Sequence, residues 1–401
     1  MIILTILLGA VAALLFLPTL SDLISIPRAL LRQATDDPTD GDEDPALLFL
    51  VPAHNEELLI ESCVASLLEL DYPAERRRIV VIADNCTDRT AALVRQAGAE
   101  ALERTDTARR GKPHALAWAF ERVPLDDFDA VVIADADSLI DRAFAKAMAA
   151  HAPLRERAIQ GVHGIRNPRD SPMTRMAALF STVLYRYMYP LRSRAGLSVP
   201  LTGSGMCIGT SILSTRGWRA FSISEDTELY VDLTRGGKTV EIEPAAVVRS
   251  QEARDLRQGK TQRTRWRAGR LEILRRLGPE VLRAKELGVH QRLDILAELI
   301  APGPLVQLGT ALMLGAVVWL LQPPGASLLL LLLGLPILRL AAYSLLALRD
   351  EPEPLRTAVT FLYLPIYLVW RMGTELTALA SHEDGRWVRT ERHAEEQGTK
   401  R

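Results

Sequence analysis

The sequence has few cysteines and almost no net charge. Its 401 residues include three cysteines, and 48 Lys and Arg residues face 49 Asp and Glu residues, leaving a formal charge of -1. The widely spaced Cys63, Cys86 and Cys207 form no Cys-x-x-Cys pair, which argues against a disulfide framework or zinc site and fits a reducing cytosol. We expect all three to be small buried residues. The balanced charge gives no overall field that would attract nucleic acid.

The N-terminal segment, residues 2–19, contains no charged side chain. It is about as long as a bilayer core requires, so we expect residues 1–20 to form a transmembrane helix. A signal peptide is the alternative, but the nearby cations Arg28 and Arg32 follow the apolar run instead of preceding it. The positive-inside rule then puts the next domain in the cytoplasm, at the inner or plasma membrane of the cell.

A second apolar region lies near the C-terminus. Residues 304–322 and 326–348 are each long enough to cross a bilayer, and the turn Pro323-Pro324-Gly325 separates them. We therefore place a transmembrane hairpin at 301–349.

The last apolar stretch, Thr357 to Trp370, is interrupted by Pro365 and falls short of the roughly 20 residues that a spanning helix needs. We expect residues 350–380 to lie in the membrane interface or to re-enter the membrane, with a fourth span as the alternative. The charged tail, residues 381–401, is then cytoplasmic.

Between the first helix and the folded domain the sequence is acidic and rich in Asp, Thr, Gly and Pro, and we assign residues 21–45 to a linker. Continuous apolar runs then predict three buried strands, at 46–52, 79–83 and 130–134. Helical patterns lie between them, at 58–70 and 112–122. This alternation predicts an α/β domain with a mostly parallel sheet covered by helices.

Each of the three strands ends in a polar cluster: His54-Asn55-Glu56, Asp84-Asn85 and Asp135-Ala136-Asp137. Ligands of such sheets bind at the carboxyl ends of the strands, so the sequence predicts one site. Asp135 and Asp137 can share Mg²⁺ or Mn²⁺ that also holds a diphosphate, although a helix cap is a simple alternative. Asp84 is likewise either a turn or cap residue, or an acceptor of hydrogen bonds from a nucleoside.

Two downstream motifs add chemistry. Ser224-Glu225-Asp226 is predicted in a loop, where a carboxylate can take a proton from an acceptor hydroxyl; a capping Ser with acidic first-turn residues is the alternative. Gln262, Arg265 and Trp266 offer a hydrogen-bonding amide, a phosphate ligand and an indole face for a sugar.

Two segments combine basic and apolar residues. Residues 172–195 could form a helix on the membrane surface or pack on the core. Residues 257–292 are strongly basic and suit anionic lipid or diphosphate, and we predict that residues 257–300 form interfacial helices.

Together the motifs resemble those of family 2 inverting glycosyltransferases. The resemblance is to the branch of cellulose, hyaluronan, chitin and poly-N-acetylglucosamine synthases, with ceramide glucosyltransferases as relatives. It implies a GT-A, Rossmann-like fold over residues 46–256, a UDP-sugar donor, Mg²⁺ or Mn²⁺, and inversion to a β-linked product. The residues that carry it are Val51 to Glu57, Asp84, Gly111-Lys112, Asp135-Ala136-Asp137, Gly203-Ser204-Gly205, Ser224-Glu225-Asp226, Gln262, Arg265 and Trp266.

The resemblance also implies a role for each motif. The residues that would bind the nucleotide sugar are Pro52, Ala53, Glu56, Asp84, Lys112, Asp135, Gln262, Arg265 and Trp266. Asp135 and Asp137 would hold the metal, Asp226 would be the base, and Glu225 its neighbour. The acceptor would contact Gly203, Ser204, Gly205 and Trp266. In the tail, Trp387, Thr390 and Arg392 resemble a gating segment that closes over the nucleotide.

The expected function is synthesis of a β-linked polysaccharide, with single transfer to a lipid as the alternative and a catalytically silent membrane scaffold as a third reading. The chain has fewer apolar segments than cellulose synthase, which argues against a self-contained channel. Expected partners are the UDP-sugar, a glycan or lipid acceptor, membrane lipids and further secretion components.

Overall fold

The computed structural model describes residues 2–32, 44–301 and 303–380. Its centre is an eight-stranded sheet with the strand order β3-β2-β1-β4-β7-β6-β8-β5. The strands are β1 Leu47–Ala53, β2 Arg77–Asp84, β3 Glu100–Arg104, β4 Ala130–Ile133, β5 Leu139–Ile140, β6 Ala158–Ile165, β7 Met206–Gly209 and β8 Val240–Ser250.

The sheet is parallel in its first half and mixed in its second. Strands β3, β2, β1 and β4 are parallel, whereas β7 is antiparallel to both β4 and β6. The prediction of a mostly parallel sheet is therefore correct for the half that holds the three predicted strands. Alternate residues of β1 enter two buried apolar layers: Leu48 and Leu50 face one side, Phe49 and Val51 the other.

Helices cover both faces of this sheet and continue beyond it. Those of the sheet domain are α2 Ile60–Leu68, α3 Thr90–Gln96, α4 Lys112–Phe120, α5 Phe144–Ala149, α6 Pro172–Thr182, α7 Tyr189–Arg194, α8 Thr210–Arg216 and α9 Glu225–Arg235. A π-helical segment, Val183–Met188, joins α6 to α7, and short 3-10 turns lie at Ala74–Arg76, Leu125–Asp127 and Thr360–Tyr363. The other helices are α1 Ile2–Leu31, α10 Leu256–Arg283, α11 Val289–Ile300, α12 Pro304–Leu321, α13 Ala326–Arg349, α14 Pro354–Val359 and α15 Leu364–Ala380.

The cysteines follow the expectation in part. Cys63 and Cys207 are buried in the sheet domain, whereas Cys86, in the polar segment after β2, is half-exposed.

Three helices among the described residues, α1, α12 and α13, are long and apolar enough to cross a membrane. They pack together through a shared apolar cluster that includes Leu8, Ala12, Ala311, Val318 and Leu333. The left-handed residues Gln322 and Gly325 form the turn between α12 and α13, at the predicted Pro-Pro-Gly turn.

Helix α1 corrects the predicted linker, because residues 21–31 are helical. Pro18 and Pro27 lie inside the helix without ending it. The polar side chains after Pro18 are buried against other helices: Ser21 Oγ donates to Asp294 of α11 at 2.7 Å, and Asp22 forms an ion pair with Arg339 of α13 at 2.6 Å. These contacts stabilise the helix beyond its apolar part. Of the remaining linker, residues 33–43 lie outside the described residues.

The segment 172–195 packs on the protein. Met173, Met176 and Phe180 of α6 share a buried cluster with Leu305 of α12 and Tyr367 of α15. Of the two alternatives, core packing is therefore the one observed, because other helices cover the apolar face that a membrane-surface helix would need.

Candidate active site

The three polar clusters meet at the carboxyl ends of β1, β2 and β4, as predicted. They open into a cavity of about 1490 Å³ that α4, α9 and α10 also line. Predicted site residues in its wall are Pro52, Ala53, Glu56, Asp84, Lys112, Asp135, Asp137, Gly203, Glu225, Asp226, Gln262, Arg265 and Trp266. The motifs therefore converge although they are spread over most of the chain. The gating-like residues Trp387, Thr390 and Arg392 lie outside the described residues.

Lys112 joins the motifs at the centre of the cavity. Its Nζ donates to Asp135 Oδ1 at 2.7 Å and to the carbonyl oxygen of Gly203 at 2.7 Å, and it lies 3.0 Å from Glu225 Oε1. Burial alone would lower the pKa of this amine, but the Asp135 and Glu225 carboxylates outweigh burial and raise it above its usual range. Lys112 is therefore a cation between the segment after β4, which bears Asp135, and helix α9.

Asp84 is buried and held by Arg104, the last residue of β3. Arg104 Nη1 lies 2.5 Å from Asp84 Oδ1, and the two side chains are 3% and 7% exposed. Asn85 Nδ2 donates to Asp84 Oδ1 at 2.9 Å, and Arg104 also binds Asp106 at 3.0 Å. Asp84 thus belongs to a network across the ends of β2 and β3 that fixes one wall of the cavity. Sequence reasoning missed Arg104, because it meets Asp84 only through the pairing of β2 with β3.

Asp135 and Asp137 follow β4 without starting a helix. The chain passes through Ser138 into β5, and the next helix begins at Phe144, so the helix-cap alternative is wrong. Asp137 is 7% exposed, and its carboxylate interacts electrostatically with Arg166, which lies just after β6. Sequence reasoning missed Arg166. Burial lowers the pKa of Arg166, and Asp137 opposes that effect.

The aspartates suit a hard divalent cation. Both line the cavity, and carboxylate oxygens are the donors that Mg²⁺ and Mn²⁺ prefer. Within the described residues no group of three or more His, Cys, Asp or Glu side chains is arranged to hold a metal alone. Two carboxylates fit a cation that completes its coordination with phosphate oxygens and water.

The predicted acceptor loop is only partly in the cavity. Gly203 lines the wall, but Ser204 is fully buried, and its Oγ accepts a hydrogen bond from the Asp135 backbone N–H at 3.1 Å. A Cβ atom added at Gly205, whose φ is +71°, would lie 2.7 Å from Cγ2 of Val248. The prediction that Ser204 and Gly205 bind the acceptor is corrected accordingly: they position Asp135 and pack beneath the site.

Glu225 and Asp226 lie in the first turn of α9 and not in a loop. The Ser224 side chain makes no capping hydrogen bond, so the capping alternative lacks its main contact. Burial and the adjacent Glu225 raise the pKa of Asp226 to about 6, against the opposing effect of Lys112. Asp226 is therefore a carboxylate whose proton affinity suits a general base near neutral pH.

Gln262, Arg265 and Trp266 share one face of α10, since their spacing is i, i+3 and i+4. The helix packs beside α9, α11 and α15. Trp266 keeps 45% of its surface exposed and lines the cavity, so its ring is available to a ligand. Sequence reasoning also missed the neighbouring rings of His114 and Phe221 in the same wall, whose centroids are 5.2 Å apart and whose planes are tilted by 32°.

Comparisons with known proteins agree with the motifs. The model of the family described as "Glycosyltransferase like family 2" matches residues 45–269. The chain is 27% identical over 237 residues to "Probable glycosyltransferase YdaM" of Bacillus subtilis (strain 168), covering 57% of this chain and 56% of that protein. It is 28% identical over 198 residues to "Beta-monoglucosyldiacylglycerol synthase" of Nostoc sp., covering 46% of this chain and 40% of that protein. The chain thus spans about half the length of the curated relatives it matches.

Among solved structures, a mannosyltransferase from Pyrobaculum calidifontis, PcManGT in complex with GDP-Man and Mn²⁺, has a similar fold. The TM-score is 0.59 at 23% sequence identity, and the match covers 92% of this chain and 99% of that chain.

Replacing Arg104 by Met should destabilise the protein by about 3 kcal/mol or more, because it leaves Asp84 buried without its cation. Arg109→Met is the matched control, since Arg109 is 74% exposed and pairs with Asp106; it should cost less than about 1 kcal/mol. Denaturant unfolding of the detergent-purified variants measures both. Equal effects would contradict a special role for the buried pair.

Proposed function

Because the chain belongs to the glycosyltransferase-like family 2, we propose that it transfers a sugar from a UDP-sugar to a hydroxyl group of a membrane lipid. Its sheet domain has the GT-A fold that the resemblance implied. The observation that supports a lipid as the acceptor is how far the cavity extends. From the Asp135 cluster it continues past Trp266 to Pro18 and Ser21 of α1, Pro304 of α12 and Arg339 of α13, helices apolar enough to cross a membrane.

The C-terminal helices support a membrane at this end of the cavity. From α14 to α15 a row of exposed apolar side chains recurs every three or four residues, as on one helix face: Leu355, Val359, Leu362, Ile366 and Val369. Such a row suits the membrane interface, in keeping with the prediction for residues 350–380. An acceptor that enters from the membrane would therefore be a lipid, the alternative of the sequence analysis, and we favour it over a polysaccharide.

In the proposed reaction the acceptor hydroxyl oxygen attacks C1 of the donor sugar, and the bond from C1 to the diphosphate breaks. Asp226 accepts the hydroxyl proton, and attack from the opposite face inverts the configuration. Arg265 and Gln262 hold the diphosphate, while Trp266 packs against the sugar or acceptor. A divalent cation at Asp135 and Asp137 would neutralise charge on the departing nucleotide.

The size of the product tests this proposal. Detergent-purified protein incubated with radiolabelled UDP-sugars and lipid should give one lipid-linked sugar. A ladder of polymer would instead support polysaccharide synthesis, and turnover of GDP-sugars alone would change the donor. No turnover with any donor sugar would support the silent scaffold.

Asp226→Asn should reduce transfer roughly 10²- to 10⁴-fold and leave UDP affinity unchanged, because the base acts on the acceptor. In the wild type, the rate should fall as the pH drops through about 6, since the raised pKa means that Asp226 takes up a proton there. Initial rates from pH 5 to 8 measure this. More than about a tenth of the activity in the variant would exclude Asp226 as the base.

Asp137→Ala should weaken manganese-dependent binding of a fluorescent UDP analogue about tenfold or more, because the metal loses one of few protein ligands. Asp141→Ala is the control, since Asp141 pairs with Arg249 at 3.1 Å outside the cavity wall. An unchanged manganese titration for Asp137→Ala would mean that this carboxylate is structural.

A further inference from the structure

Beyond Trp266, four arginines line the cavity on its way to the membrane helices. Arg263, Arg267 and Arg270 share one face of α10, and Arg371 of α15 lies across from them. We call these four residues the arginine cluster. None of them belongs to the motifs that suggested the family.

Among the residues the structure describes, the four guanidinium groups of the cluster share three carboxylates at ion-pair distance, those of Glu252, Glu298 and Glu375. Glu375 is shared: Arg267 Nε lies 2.7 Å and Arg371 Nη2 3.0 Å from its carboxylate oxygens. Arg270 reaches Glu298 at 3.5 Å, but Glu298 also binds Arg192 at 2.8 Å. Arg263 has Glu252 at 2.7 Å. In direct contact the cluster therefore has one guanidinium group more than it has carboxylates, which suits the binding of an anion.

Carboxylates outweigh burial and raise the pKa of Arg263 and of Arg270, but they do not do so for Arg267 and Arg371. Burial, and then the neighbouring Arg270, lower the pKa of Arg267, and the Glu375 carboxylate opposes this without restoring it. Burial also lowers the pKa of Arg371, with further contributions from Arg263 and Arg267. The side chains of Arg267 and Arg371 are 15% and 10% exposed, so solvent screens little of the repulsion between their positive charges.

Arg267 also has a structural role. Its Nη atoms donate to the carbonyl oxygens of Leu299 at 3.4 Å and Ile300 at 3.1 Å, at the end of α11. These bonds fix its guanidinium in the cavity wall, whereas Arg371 is anchored within its own helix by Thr374 at 3.1 Å and Glu375. Arg371 is therefore the better position for a test.

The cluster lies between the candidate base and the membrane-facing surface. Arg270 is close enough to Asp226 to lower the pKa of its carboxyl group. On α15, Tyr367, Arg371 and Thr374 are buried, whereas Ile366 and Val369 are exposed. Arg371 thus lies across α15 from the apolar row, about one helix diameter or roughly 10 Å away, a separation that suits a lipid headgroup.

We propose that the arginine cluster binds the phosphate of an anionic phospholipid acceptor and so presents a hydroxyl group of that headgroup to Asp226. This inference rests on the proposed function. Guanidinium groups bind phosphate oxygens in pairs, which gives orientation as well as charge. In the reaction the headgroup oxygen gains the sugar, its proton goes to Asp226, and the nucleoside diphosphate leaves. The lipid phosphate itself is unchanged.

Two lipids with identical acyl chains test the proposal with the full chain in mixed micelles. Phosphatidylglycerol should be glycosylated with a KM about tenfold or more below that of diacylglycerol, which lacks the phosphate. Arg371→Gln should raise the KM for phosphatidylglycerol about tenfold, with little change in kcat or in UDP affinity. Arg371→Lys, which keeps the charge, should recover part of the loss.

Arg356→Gln is the matched control. Arg356 lies on α14, is 75% exposed and pairs with Glu353 at 2.9 Å outside the cavity wall. This variant should behave as the wild type. Soluble glycerol 3-phosphate should neither be glycosylated nor compete with phosphatidylglycerol at similar concentrations.

Several results would overturn the inference and leave the proposed function intact. Equal KM values for the two lipids, or an unaffected Arg371→Gln enzyme, would mean that the phosphate is not bound. Weaker UDP binding by Arg371→Gln would assign the cluster to the donor, and strong competition by glycerol 3-phosphate would indicate a free-phosphate site. If Arg371→Gln does not fold, the wild-type comparison of the two lipids decides. A polymer product without lipid glycosylation would overturn the proposed function itself.

Discussion

The carboxylates of Asp135, Glu225 and Asp226 lie close together at the inner end of the cavity. The ammonium group of Lys112 forms ion pairs with Asp135 and Glu225. Burial and the adjacent Glu225 carboxylate make the ionised form of Asp226 costly and so raise its pKa. Lys112 lowers that cost for Asp226 but does not cancel it. The same ammonium group binds Gly203, so the acidic residues and the loop below them share one anchor. The geometry of the site depends on this cation.

Other polar contacts link the sheet domain to α11 and α11 to α1, and a further ion pair links α1 to α13. Arg192 of α7 binds Asp294 of α11 at 2.6 Å, and Asp294 accepts a hydrogen bond from Ser21 of α1. Nearby, Asp22 of α1 binds Arg339 of α13. Buried pairs of this kind contribute modestly to net stability, but each partner is costly to leave alone. They therefore fix α1, α11 and α13 in one arrangement around the far end of the cavity.

The sequence predicted the parts of the fold that short-range patterns encode. Strands β1, β2 and β4 are continuous apolar runs, and their polar ends marked the cavity. Strand β3, Glu100–Arg104, is a charged edge strand that has no such run, and Arg104 meets Asp84 only through sheet pairing. Helix α1 was predicted too short because only its uncharged apolar run was assigned to the helix, whereas contacts with Asp294 and Arg339 extend it. Burial of Ser204 and the meeting of α10 with α15 are tertiary features that no local pattern carries.

Helix α15 has two different environments on its two sides. Its outer face is apolar and exposed, while its inner face places Arg371 and Glu375 in the cavity wall. If the outer face lies in a bilayer, the depth of the helix follows the thickness and lateral pressure of the lipid around it. The width of the cavity would then vary with the composition of the surrounding membrane. Lipid would in that case be a part of the wall of the active site as well as a source of substrate.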